Sequence, residues 1–324
     1  MQQCVLVTGA TGWLGQKVCA QLQEQGHGVI GVSRTLGEGP WNQGWCGDIN
    51  AFAKPDEALS ELLRRTTVVI HCAGHAHRPI ETLGEIATFK AVNVEGTRAL
   101  IAACQKHGIN RLVYVSTIAG YDWRTAPQDG ISEDGALNPT SAYAATKLAG
   151  EHLVRDSGLD WRVARLATVF GAGDRANFAK LACHLKAHRF FIPGAGAARK
   201  SVIPVGLVAE LLSRLAWLEN PGPRLLNVAL SHAPTLREVC DAFSEKCGFR
   251  PARSLPLWLL RSGANLGDFI GKFNPGVPVT TANLKKLTTS TVVNNRRLRE
   301  IFPDLEMPVF SEALQSSAGF YRDI

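Results

Sequence analysis

In 324 residues the chain has only four tyrosines and two methionines, and its eight cysteines include no CxxC pair. Zinc-ligand spacing and a disulfide framework are therefore not expected, the less so because cysteines sit inside apolar runs such as Val69-Ile70-His71-Cys72-Ala73. No uncharged apolar run approaches the roughly 20 residues of a membrane span. The opening Met-Gln-Gln-Cys-Val-Leu-Val-Thr-Gly has neither the charged start nor the long apolar stretch of a signal peptide. The expectation is a soluble cytoplasmic protein without a metal or a membrane partner. Acidic residues are in mild deficit, 28 against 35 basic ones, for a net charge of +7. The excess reads as scattered, with its densest basic stretch at Arg296, Arg297 and Arg299. That suits a small anionic ligand better than a nucleic acid.

What is present is a globular composition. Hydrophobic residues make up 45% and charged residues 19% of the chain, enough for a core of one large or two joined domains. Short Val/Ile/Leu-rich runs at 4–7, 29–32, 67–73, 112–116 and 161–169 alternate with helical patterns at 14–25, 56–65, 89–107 and 142–156. This alternation predicts a doubly wound α/β fold with a parallel sheet buried on both faces. After Gly171 the regularity fades. Helices are expected at 173–186, 207–219, 256–273 and 295–302, with a strand at 201–205. A capping box, Thr235-Leu236-Arg237-Glu238, should open another helix that runs to about Cys247. The division expected is a dinucleotide-binding domain over 1–171 with 201–230, and a smaller α-rich substrate domain over 172–200 with 231–324. The apolar helix with Trp258 could lie on a membrane surface, but with Arg261, Asp268 and Lys272 along it the expectation is packing within the smaller lobe.

Thr8-Gly9-Ala10-Thr11-Gly12-Trp13-Leu14-Gly15 follows the first expected strand and opens the first helix. Gly9 allows the tight turn, Gly12 lets the backbone approach a pyrophosphate, and Gly15 allows close helix–strand packing. The helix N-terminus offers N–H groups to the anion, so Thr11, Trp13 and Leu14 join the candidate cofactor residues. The second strand ends in Ser33-Arg34 where an NAD-selective site would carry a carboxylate. An arginine there meets a 2′-phosphate bidentately, which makes NADP the preferred cofactor and NAD the alternative. Asp48, with Ile49 beside it, is a candidate for the adenine.

Tyr143-Ala144-Ala145-Thr146-Lys147 starts a helix that Ser141 could cap, and the i, i+4 spacing puts phenol and ammonium on one face. A tyrosine must shift by roughly three units, on the order of 4 kcal/mol, to trade protons near neutrality. Lys147 beside an oxidised nicotinamide could supply that. Ser116 and Thr117 end a strand at the edge of the sheet where ligands bind, and either could hold a substrate oxygen.

With Gly9, Gly12, Gly15, Thr117, Tyr143 and Lys147 in this order, the chain resembles the extended short-chain dehydrogenase/reductases, a family of nucleotide-sugar epimerases, dehydratases and reductases. His71-Cys72-Ala73-Gly74, Asn93-Val94-Glu95-Gly96-Thr97 and Arg165-Leu166-Ala167-Thr168-Val169-Phe170-Gly171 extend the likeness to essentially the whole chain. It implies that Asn93 serves structure and proton relay, and that Lys147 also holds the nicotinamide ribose. It further implies cofactor contacts from Cys72, Ala73, Gly74 and Ser116, and a homodimer built on the helices at 95–107 and 142–156. Dehydratases of the group carry Asp-Glu after the catalytic Thr; Ile118-Ala119 stand here instead. The segment from Gly171 to Phe178 and the stretch Lys200-Ser201-Val202-Ile203-Pro204-Val205 resemble UDP-sugar 4-epimerases and 4-keto reductases, with Asn177, Lys200 and Arg296 or Arg297 toward a UDP-sugar. Lys200 replaces the usual arginine, and Gly206 stands where an Asp often follows. The expected activity is reversible hydride transfer to a UDP-hexose carbon, by an epimerase or a reductase. The alternatives are a reductase of a non-nucleotide carbonyl and a dinucleotide sensor without chemistry.

Overall fold

The structure, a computed structural model, describes residues 4–76, 82–219, 222–271 and 280–324. The first half alternates strand and helix: β1 (Cys4–Thr8), α1 (Trp13–Glu24), β2 (Gly28–Ser33), β3 (Gln43–Cys46), α2 (Glu57–Arg65), β4 (Thr66–His71), α3 (Leu83–Lys90), α4 (Gly96–Lys106), β5 (Arg111–Thr117), α5 (Ala142–Arg155) and β6 (Asp160–Leu166). Then come β7 (Thr168–Phe170), α6 (Asn177–Lys186), β8 (Phe191–Pro193), β9 (Val202–Pro204), α7 (Val205–Trp217), β10 (Leu225–Val228), α8 (Leu236–Cys247) and β11 (Arg253–Leu255). Five helices close the chain: α9 (Leu257–Gly271), α10 (Thr281–Thr288), α11 (Arg296–Ile301), α12 (Phe310–Gln315) and α13 (Ala318–Asp323).

Seven strands form one sheet in the order β10-β6-β5-β4-β1-β2-β3, and every pair in it is parallel. Successive strand residues point to opposite faces and are buried on both. Val5 and Val7 face a core shared with Val18 and Leu22 of α1 and Leu211 and Leu215 of α7, whereas Leu6 faces Leu59, Leu63, Leu100 and Tyr114 on the other side. A third core in the C-terminal part gathers Phe170, Phe178, Phe243, Phe310 and Tyr321 from β7, α6, α8, α12 and α13.

Two of the seven strands are absent from the periodicity reading. β3 is a short edge strand containing Gly and no β-branched residue, and β10 is a four-residue run after a turn. The run 161–169 is two strands. The chain leaves the main sheet at Ala167, whose N–H donates to Val228, and Thr168 then begins pairing with β9 in a separate two-stranded sheet. The expected helix from 89 begins earlier, at Leu83, where Thr82 and Glu85 form a capping box, and it is interrupted by a π-helical turn, Ala91–Glu95. Helix α6 starts at Asn177, later than expected, where buried Asp174 accepts the N–H groups of Ala176, just before the helix, and of Ala179, in its first turn. The capping box at Thr235 forms as the sequence pattern implies.

Helix α9 departs most from expectation. It packs through a narrow face in which Ala264 and Gly267 are buried, while Trp258, Leu259 and Leu266 stay in solvent. Lys272, Phe273 and the 275–278 loop lie outside the described residues.

Candidate active site

Helix α1 begins after Gly12 with no side-chain cap and no acid in its first turn, which leaves its leading N–H groups and positive dipole end for an anion. Two glycines make this approach possible. Gly9 has φ +71°, and a Cβ on it would stand 2.8 Å from the Ala73 backbone. A Cβ on Gly15 would lie 2.1 Å from the carbonyl oxygen of Gly9, so the helix could not pass the turn. The cleft above is lined by Gly9, Thr11, Gly12, Ser33, Arg34, Asp48, Ile49, Cys72, Ala73 and Gly74, ten residues singled out from sequence. A dinucleotide fits this donor set: free helix N–H groups for phosphate, hydroxyls on Thr11 and Ser33 joined at 2.6 Å, and exposed Arg34 at the end of β2. Asp48 has one carboxylate oxygen already engaged, accepting from the backbone and side chain of Asn50.

The remaining loop residues act differently from expectation. The Trp13 indole donates to the Ala172 carbonyl at 2.8 Å and meets Gly173, so it joins the phosphate loop to the segment after β7. Leu14 packs against the core. Thr8, Val32, Gly47, His75 and Val92 line the cleft without having been singled out. Each sits within one residue of an expected element end or motif, or on the π-turn, and only the fold turns it inward.

Beneath the cleft a buried chain of hydrogen bonds sets the tautomer of His71. Thr97 donates to the Asn93 carbonyl at 2.8 Å, so its oxygen accepts from His71 Nε2 at 3.0 Å. Nδ1 of His71 then accepts from Thr8 Oγ1 at 2.7 Å, and that oxygen takes the Ala73 N–H. Burial and the nearby Lys147 push His71 down to about 3, so the ring stays neutral. Asn93, on the π-turn, accepts from the His75 N–H at 2.8 Å and donates to Thr146 Oγ1 at 3.1 Å. It thereby ties the loop after β4 to α5.

Ser141 caps α5. The Tyr143 phenol lies close enough to Thr117 for that side chain to act on its acidity. Burial raises the Tyr143 phenol above its ordinary value and the neighbouring Thr117 side chain opposes that. The expected pull of Lys147 on the phenol is replaced by another arrangement: the ammonium rests 4.2 Å from the centre of the Tyr114 ring, buried. Desolvation lowers Lys147 to about 8, with Cys72 and Glu151 resisting. Its Nζ lies 3.6 Å from where a Cβ on Gly74 would stand, which puts the ammonium at the end of the glycine-lined cleft. The two residues after Thr117, Ile118 and Ala119, form an apolar 3-10 turn.

Ser116 leaves the candidate set. Its hydroxyl is buried and donates to Glu151 at 2.7 Å, inside the interface between β5 and α5. Glu151 also receives Arg165 through two bonds of 3.0 and 2.6 Å, and Arg165 reaches the Tyr121 hydroxyl at 2.7 Å. Strand alternation turns Ser116 inward where Thr117, its neighbour, faces the phenol. Of the residues expected toward a UDP-sugar, Asn177 is exposed at the first position of α6. Lys200 is spent on the Thr289 carbonyl at 2.6 Å, and burial lowers it to about 8. Arg296 is a solvated helix residue, 76% exposed and paired with Glu300, while Arg297 is held by Asp134 and Glu133. Of the two roles open to Arg296, a diphosphate contact or surface cover, the helix gives it the second by turning it to water.

A 2-alkyl-3-oxoalkanoate reductase of Stenotrophomonas maltophilia is 31% identical over 199 residues, 60% of this chain and 59% of that protein. An uncharacterized UDP-glucose epimerase of Bacillus subtilis is 30% identical over 190 residues, 54% of this chain and 59% of the relative. The matched stretch thus spans less than two thirds of the length of either relative. The fold of the Bordetella bronchiseptica enzyme WbmH, solved with NAD+, superimposes with a TM-score of 0.77 at 20% identity, covering 100% of this chain and 99% of that one. Residues 5–229 match the profile described as the NAD dependent epimerase/dehydratase family, and the chain belongs to that family.

Proposed function

We propose that this chain is an oxidoreductase that moves a hydride reversibly between a nicotinamide dinucleotide and a carbon of a nucleotide-linked sugar, as a UDP-hexose 4-keto reductase or 4-epimerase. The observation that carries this reading is the Tyr143 phenol set beside Thr117, one turn from Lys147, whose ammonium borders Gly74 of the cleft. The names of the Bacillus relative and of the family point the same way. When bound, the nicotinamide supplies or accepts the hydride. Thr117 orients the substrate oxygen, and Tyr143 gives its phenolic proton to that oxygen or takes one from it. A phenol that burial keeps protonated suits donation to an alkoxide, the reductive direction. Lys147 holds the ribose hydroxyls, Asn93 keeps α5 in place, and Gly9, Thr11 and Gly12 with the start of α1 hold the diphosphate. Exposed Arg34 beside Ser33 favours NADP over NAD. We assign the protein to the cytoplasm and to a homodimer across α4 and α5, to be checked by its mass in solution.

The test is Tyr143→Phe, expected to lower kcat by about 10²–10⁴ while leaving dinucleotide affinity unchanged. Unchanged turnover would sink the assignment. Stoichiometric NADPH oxidation with a keto-sugar marks the reductase; interconversion without net absorbance change marks the epimerase. One observation favours a second reading, reduction of a carbonyl not linked to a nucleotide: Lys200 is committed to a backbone carbonyl and Arg296 turns to water. The name of the Stenotrophomonas relative is of that kind. Thermal stabilisation by NADPH but none by UDP would select it.

A further inference from the structure

The positive charge of this chain is unevenly spread. Residues 250–290 contain six Lys or Arg (Arg250, Arg253, Arg261, Lys272, Lys285 and Lys286) and a single acid, Asp268. Six minus one is +5, out of +7 for the whole chain. The one acid is already engaged, since Asp268 accepts the backbone N–H of Thr281 at 3.1 Å and its hydroxyl at 2.5 Å, which ties α9 to the start of α10. Arg250, Arg253, Arg261, Lys285 and Lys286 are exposed, and none of them has an ion pair among the described residues.

This same stretch carries the most exposed apolar helix surface of the C-terminal part. Trp258 is 68%, Leu259 43% and Leu266 60% exposed, and at about 100° per residue the three fall within roughly 100° of one another on α9. They lie opposite buried Ala264 and Gly267, the residues by which the helix packs. Phe191 of β8, the strand paired with β11, is exposed as well, at 42%, and lines a cleft of about 450 Å³ together with Arg250 and Arg253. Arg253 stands in β11, directly ahead of α9.

We propose that this face docks on an anionic lipid bilayer, with α9 lying in the plane of the interface. Trp and Leu then sink to the headgroup–acyl boundary, and Arg250, Arg253, Arg261, Lys285 and Lys286 meet lipid phosphates. Charge decides against a second copy of the chain as occupant: two faces each carrying this excess repel one another, whereas an anionic bilayer complements both the cations and the apolar stripe. The inference is independent of the hydride chemistry and revises the expectation of no membrane partner. Among the described residues no helix is long and apolar enough to cross a membrane, so the association is peripheral.

The experiment is co-sedimentation of the full chain with vesicles of phosphatidylcholine alone and of phosphatidylcholine with phosphatidylglycerol. Binding is expected only with phosphatidylglycerol, reduced by added salt. Trp258→Ser/Leu266→Ser keeps the charge and should weaken it by roughly tenfold at unchanged Tm and NADPH affinity. Lys285→Gln/Lys286→Gln should weaken it similarly and flatten its salt dependence. The proposal is overturned if the chain stays in the supernatant at low salt, or if the Ser variant binds like the parent. It is also overturned if saturating UDP releases the protein, which would assign the cations to a substrate diphosphate. A parent that dimerises through α9, becoming monomeric in the Ser variant and blind to vesicles, would overturn it in favour of self-association.

Discussion

Replacing Glu151 by Gln removes the one charge that, among the described residues, pairs with a guanidinium buried to 2% exposure. In the parent, Glu151 accepts Arg165 through both carboxylate oxygens and takes the Ser116 hydroxyl as well. The other partners of Arg165 are neutral, the Tyr121 hydroxyl and the Glu133 carbonyl, and Arg155 lies 3.6 Å from Glu151 at the rim. Breaking a buried pair from one side costs about 3–5 kcal/mol, because the remaining charge cannot reach water. At about 2–4 °C per kcal/mol, the midpoint should fall by roughly 6–20 °C. Replacing both partners, Glu151→Leu with Arg165→Met, removes both desolvation penalties and should recover all but about 1–2 kcal/mol. The assay is urea unfolding of the parent, the single and the double variant, with Tm alongside. A single variant within about 1 kcal/mol of the parent would refute the reasoning, because it would mean that Arg165 finds water or a second anion in solution.

Gly15→Ala places a methyl 2.1 Å from the Gly9 carbonyl, so the loop must move, and dinucleotide affinity measured by calorimetry should drop at least about a hundredfold. Arg34→Ala should raise KM for NADPH by about 10- to 100-fold and leave KM for NADH nearly unchanged, as expected for one charge-assisted contact; equal effects on both would disprove the 2′-phosphate role. Lys147 is held at about 8, below its ordinary 10.5, so the unfolded chain binds the proton more tightly. Below pH 8 the folded state therefore carries a penalty of roughly 3 kcal/mol, which disappears as pH rises to 10.5. Lys147→Met should accordingly gain relative to the parent at pH 7, and the gain should shrink between pH 8 and pH 10.5; a difference that is flat with pH would contradict it.

Much of the fold was legible because its signals are local. Val5-Leu6-Val7 and Val68-Val69-Ile70 are apolar on both faces, which only a sheet covered on both sides needs, and Gly9, Gly12 and Gly15 stand directly between such a strand and a helix. The strands that were missed, β3 and β10, have short runs of weak pattern and exist because neighbouring strands offer them an edge. Spacing also brought out Thr117, Tyr143 and Lys147 as a set, and the fold places Thr117 beside the Tyr143 phenol. What spacing could not convey is direction. Lys147 turned to the Tyr114 ring, Ser116 to Glu151, Lys200 to a backbone carbonyl and Arg296 to water. Helix α9 shows the same limit, since its apolar composition says that it wants cover and not whether this chain supplies it.

The sequence by itself determined the parallel sheet, the anion-binding turn and the place of a hydroxyl–phenol–ammonium set, because periodicity and backbone freedom act between residues a few positions apart. Tertiary structure alone decided which of these side chains reach the cleft, how far each acid and base is moved from its ordinary pKa, and which apolar surface is left outside. Those properties depend on burial and on partners dozens of residues away, such as Glu151 with Ser116 and Arg165, and no local pattern encodes them.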